Sequence, residues 1–156
     1  MKPYLINFFK YNDWANLKLL ATIKQLPDQE EAIKFFSHFI TSQDKWMNRI
    51  TKQIEDSSLT WFNPIFPVDE FETKWKESIN RWIAFIENST NEELEKDIIF
   101  VRANDNKKMG VKIMDVILQL NYHSIHHRAQ INRIIRQQGL TPPATDYIYT
   151  VLKEVG

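Results

Sequence analysis

Three of the four histidines in the chain fall within five positions of one stretch, "NYHSIHHRAQ", residues 121–130. An α-helix turns by about 100° per residue, so His123 and His127 stand one turn apart on the same face. Two imidazoles at i and i+4 can reach one metal ion. The competing reading is a pair of core histidines, which would need hydrogen-bond partners once desolvated. His126 turns roughly 120° away from the apolar face, toward water or a helix flank. Arg128 and Gln130 follow directly and offer a cation and an amide at the same level.

The surrounding apolar residues decide which way this helix faces. Ile113, Val116, Ile117, Leu120, Ile131 and Ile134 cluster within roughly 60° of one direction. His127 lies near the middle of that face and His123 at its edge. The fourth histidine, His38, sits in "FFSHFITSQDKW", where periodicity is less decisive. It lies about 160° from the stripe formed by Ile33, Phe36, Ile40, Met47, Ile50 and Ile54. It shares a second face with Phe35, Phe39, Ser42 and Trp46, which is buried if the helix is covered on two sides and exposed otherwise.

Residue types exclude several other chemistries. Ser124 stands where a zinc protease of the HExxH kind carries its catalytic glutamate. No Glu-x-x-His pair of the di-iron bundles is present, nor a GxSxG elbow, a phosphate loop or a dinucleotide fingerprint. The chain has no cysteine, which removes disulfides, zinc thiolates and a cysteine nucleophile, so any thiol must come from outside. Twenty basic residues balance twenty acidic ones, and without a basic field no nucleic-acid partner is expected. No apolar run approaches the roughly 18 residues of a membrane span. The stretch "MKPYLINFFKYNDWANLK" is interrupted by Lys10 and Asp13 and lacks a signal-peptide cleavage pattern. A cytoplasmic protein with no membrane contact is the expectation.

The elements that must position these histidines are helical. With 156 residues, 43% of them hydrophobic, and only 3 glycines, the chain suits one domain over residues 1–156. Leu5, Phe8, Tyr11, Leu17 and Leu20 mark a first helix from Tyr4 to Leu26, stopped by Pro27. Asp28 with Glu31 forms a capping-box signature for a second helix reaching about Glu55. Pro64 and Pro67 make the next stretch an irregular crossover. Asp69 with Glu72 repeats the capping signature before a third helix ending near Asn88, whose face is Phe71, Trp75, Ile79, Trp82 and Ile86. Thr90 with Glu93 starts one short helical turn. "DIIFV" and "MGVKI" flank a polar turn and predict a small hairpin. The fourth long helix runs from Lys112 to Gln138, where Gly139 suits a left-handed cap. A short terminal helix follows in "ATDYIYTVLKEV". The fold class is all-α, a four-helix bundle with a long Pro-rich crossover.

Four pieces in this order, "YNDWAN", "HFITSQDKW", "HSIHHRAQ" and "GLTPPATDYI", resemble the DinB-like family of damage-inducible four-helix bundles, which includes bacterial thiol transferases. The resemblance spans nearly the whole chain. It implies that His38, eight residues before Trp46, joins His123 and His127 in binding one divalent metal, zinc or nickel. Ala129 stands where the family often has glycine, and Gln119 where an additional histidine is common. The implied activity is a metal-dependent thiol S-transferase or related isomerase using an external low-molecular-weight thiol and a small-molecule substrate, in a homodimer. A metal-dependent hydrolase and a non-enzymatic metal-binding stress-response protein are the alternatives. Arg128 is a candidate contact for an anionic substrate, or else a flank residue in a salt bridge. Asp146 could support a ligand histidine or cap a helix. Trp61, Phe62 and Phe66 in the crossover suit a site lid or a dimer contact.

Overall fold

The computed structural model of the protein describes residues 1–53, 58–102 and 104–156. Four long helices, α1 (Lys2–Ile23), α2 (Glu30–Lys52), α3 (Phe71–Asn88) and α5 (Ile113–Gln137), carry the fold. A single turn, α4 (Asn91–Leu94), and a two-stranded antiparallel hairpin, β1 (Asp97–Val101) and β2 (Lys108–Lys112), separate α3 from α5. Ile54 and Glu55, expected in the second helix, lie outside the described residues. No helix among the described residues is long and apolar enough to cross a membrane.

Side-chain pairs fix the helix directions. Phe36 packs on Phe71 and Gln43 meets Ser78, so α2 and α3 run parallel. Asn12 meets Asn121 and Asn16 meets Ser124, so α1 and α5 also run parallel. Phe9 stacks on Trp82 while Asp13 accepts from the Trp75 indole, which makes α1 and α3 antiparallel. Phe35 faces His127 and His38 faces His123, which makes α2 and α5 antiparallel. The bundle is therefore up-down-down-up. Successive parallel helices need a connection long enough to return the chain along the helix, and the Pro-rich crossover between α2 and α3 supplies it.

The aromatic face of α3 is as expected: Phe71, Trp75, Ile79, Trp82 and Ile86 are all buried. α1 differs from its expected face. Phe9, not Phe8, enters the core, and Leu17 packs only at its edge. The reason is that the buried stripe of α1 mixes residue types. Leu5, Phe9, Asn12, Asn16 and Leu19 follow one another at helical spacing and are all buried, and the two asparagines within it bond α5, so apolar periodicity alone misplaces the face.

The helix starts also differ in part. Asp28 Oδ1 accepts from the Glu30 amide at 3.0 Å, but the capping residue is Gln29 and no reciprocal side-chain cap forms. Asp69 lies in a short 3-10 turn (Val68–Glu70), and α3 begins without a side-chain cap. At Thr90 the box is complete: its hydroxyl accepts from the Glu93 amide and the Glu93 carboxylate accepts from the Thr90 amide. Gly139 has φ +81°, the left-handed conformation that lets the chain leave α5. Of the expected terminal helix only a 3-10 turn, Tyr147–Thr150, forms.

Candidate metal centre

α5 and α2 bring three imidazoles together across their antiparallel interface. His127 projects from the apolar face of α5, flanked by the buried Ile131 one turn on, and packs against Phe35 and Phe39 of α2. His123, one turn earlier, is half-buried at the edge of that face, as the spacing predicts. His126 is exposed and offers no atom to the cluster. His38 is only 4% exposed. Its face of α2 is covered because α5 and the crossover pack there while α3 covers the opposite stripe, and this settles what periodicity leaves open.

The Nε2 atoms converge. His123 Nε2 lies 3.1 Å from His38 Nε2 and 3.0 Å from His127 Nε2. Four nitrogens held tetrahedrally at 2.0–2.1 Å from a zinc ion would be roughly 3.3–3.4 Å apart, so these spacings are close to those of a ligand set. The far ring nitrogens set the tautomers. His38 Nδ1–H donates to the Trp61 carbonyl, and His127 Nδ1–H donates to the Gln130 side-chain carbonyl. Both Nε2 atoms are then bare lone pairs. A single proton on His123 Nε2 can point at only one of them, so the other contact sets two lone pairs face to face, an arrangement that a bound cation would relieve.

Electrostatics favours the neutral, ligand-ready rings. Burial lowers the His123 pKa to about 4, with the neighbouring imidazoles adding to the effect. Burial also lowers that of His38 against the opposing pull of the Trp61 carbonyl, and that of His127 against Gln130. The donor set is three neutral nitrogens with no carboxylate, and it could hold a divalent ion.

The crossover supplies the roof. The Trp61 carbonyl also accepts from Thr41 Oγ1 at 2.8 Å. The Phe62 ring stacks on His38 at 4.3 Å. A cavity of about 290 Å³ opens against His38 and His123. Trp61 and Phe62 thus lie over the site, whereas Phe66 packs against the core.

Two candidate roles are corrected. Arg128 does not line this cavity, and among the described residues it joins no salt bridge. It is buried between α5 and α1, donating to Asn16 Oδ1 at 2.7 Å, Asn12 Oδ1 at 3.1 Å and Tyr11 Oη at 2.8 Å. Its position one step past His127 turns it away from the histidines by about 100°. Asp146 is exposed and precedes the terminal 3-10 turn, and the groups on the outer histidine nitrogens are Trp61 and Gln130 instead. Ala129 is exposed, so its methyl group tightens no packing. The Trp61 carbonyl has no sequence signal, since every residue carries one.

A helical bundle with three neutral histidines gathered across two antiparallel helices is the framework of a metal-binding bundle protein. The model of the DinB family matches residues 1–153, and the chain belongs to that family. It is similar to Protein DinB of Bacillus subtilis (strain 168), with 22% identity over 163 residues covering 94% of this chain and 93% of that protein. No solved structure gives a significant match.

Proposed function

We propose that the protein is a metal-dependent thiol S-transferase, or a related isomerase, in which His38, His123 and His127 hold one zinc or nickel ion. The observation that carries this reading is the meeting of three Nε2 atoms whose outer nitrogens are tied to Trp61 and Gln130. Three ligands leave a position open for chemistry, unlike a closed structural site. A bound divalent ion supplies Lewis acidity, which lowers the pKa of a thiol or water placed beside it. With no cysteine in the chain, the nucleophilic sulfur belongs to a small external thiol. Its S–H proton leaves to solvent, a carbon–sulfur bond forms, and the electrophile's leaving group departs with the bonding pair. His38 and His127 stay neutral and fixed throughout because their Nδ1 protons are already donated.

The hydrolase reading ranks second, because among the described residues no carboxylate lines the cavity to serve as general base. The proposal includes a cytoplasmic protein acting as a homodimer. Exposed apolar side chains on α1 and α5, Tyr4, Tyr122 and Ile125, support a self-association surface, which sedimentation velocity would test.

Metal analysis of protein purified without an affinity tag tests the centre. Near-stoichiometric zinc or nickel is expected in the wild type and is lost in His127→Ala. A metal-replete preparation that stays empty overturns the reading. Turnover in a matrix of small thiols and electrophiles supports the transferase. Turnover of esters or amides with no dependence on any thiol replaces it with the hydrolase.

A further inference from the structure

The cavity beside the histidines has a consistent chemistry. Its walls are the indoles of Trp46 and Trp61, the phenyl ring of Phe62 and Leu120, with Ser42 and Gln119 as the polar exceptions. No lysine, arginine, aspartate or glutamate is among these described lining residues. Two cations lie against the wall indoles without lining the cavity. The Arg49 guanidinium lies over the rings of Phe100, Trp46 and Trp61 at 4.4, 4.7 and 5.2 Å. Lys45 Nζ lies 5.5 Å from the centre of the Trp61 ring and donates to the Leu59 carbonyl at 2.9 Å. Arg128 is held on the α1 side of α5.

We infer that this cavity is a pocket for an uncharged, flat aromatic group, gripped by Trp46, Trp61 and Phe62 and presented to the open side of the three histidines. Three physical arguments converge on it. Trp61 and Phe62 are 40% and 48% exposed directly over the cluster, and a stacked ring would cover that apolar area. A carboxylate or phosphate entering the same space would shed water without meeting a counter-charge on the walls. At about 290 Å³ the space matches one ring with a short substituent. That the ring belongs to the electrophilic substrate rests on the transferase reading. The aromatic pocket itself does not.

Two probes of one size distinguish the possibilities: benzamide, which is neutral, and benzenesulfonate, an anion that binds metals poorly. Binding is followed by NMR titration of the wild-type protein in metal-free and zinc-loaded forms, without turnover. Benzamide is expected to bind both forms, and in the metal-free form several-fold more tightly than benzenesulfonate. Phe62→Ala and Trp61→Ala, both at exposed positions, should each weaken benzamide by about fivefold, while Tyr4→Ala leaves it unchanged. No detectable benzamide binding, equal or tighter binding of benzenesulfonate to the metal-free form, or indifference to both substitutions overturns the pocket. Zinc uptake without benzamide binding sinks the pocket alone. Benzamide binding that depends on the two rings, in a protein that takes up no metal, sinks the metal centre alone.

Discussion

His123 shows how a residue's surroundings convert an ordinary side chain into a poised one. Burial and three neighbouring imidazoles hold its pKa at about 4 against an ordinary 6.5. The folded state therefore resists a proton that the unfolded chain accepts. The contribution is fully present above about pH 6.5 and is lost as the pH falls toward 4. Urea unfolding of metal-free protein should show stability declining through that window, and His123→Gln should flatten the decline. A pH-independent midpoint in the wild type would contradict the assigned environment. Arg128 is the opposite case, a buried cation with no carboxylate beside it among the described residues. Three neutral oxygens and the Tyr11 ring, 5.1 Å away, compensate it instead. Arg128→Met strips donors from Tyr11, Asn12 and Asn16 at once and should cost about 2–3 kcal/mol by denaturant titration.

At the scale of elements, α5 works as a rod with two interfaces. One edge sends His123 and His127 to α2, and the other sends Asn121, Ser124 and Arg128 to α1. Its end matters as well. Gly139 turns the chain at φ +81°, and Leu140 closes the turn by donating to the Ile135 carbonyl at 3.1 Å. Nothing crowds a methyl group there, so Gly139→Ala isolates the backbone term. It should lower stability by about 1 kcal/mol, read as a shift in the thermal midpoint without loss of metal.

For the whole molecule, the centre ties together parts distant in sequence. His38 and His123 are 85 residues apart, and the crossover joins them through the Trp61 carbonyl and the Phe62 ring. A ligand that binds only the folded arrangement stabilises it by mass action. At free zinc a thousandfold above its dissociation constant the gain is about 4 kcal/mol. Chelation should accordingly lower the thermal midpoint of the wild type and leave that of His127→Ala nearly unmoved. Equal shifts in both proteins would place the ion elsewhere.

Much of this was legible in the sequence because it depends on local periodicity. The i, i+4 spacing of His123 and His127 within an apolar stripe sets their common direction, and it sends His126 outward. The α3 face, the Thr90 cap and the Gly139 turn follow from short-range rules of the same kind. Where a decision depended on what another element covers, periodicity was silent. His38 is buried only because α2 is enclosed on two faces. Phe9 replaces Phe8 because the buried stripe of α1 contains Asn12 and Asn16, polar residues that apolar periodicity does not count. Arg128 turns from the substrate side because Tyr11 and those two asparagines meet it across the α1–α5 interface. The Trp61 carbonyl reaches His38 because α2 and α3 run parallel, which forces the intervening chain back along the bundle and over the histidines. The sequence by itself determined which side chains share a helix face; the packing directions of the helices decided which faces meet, because burial is a property of pairs of elements and not of one.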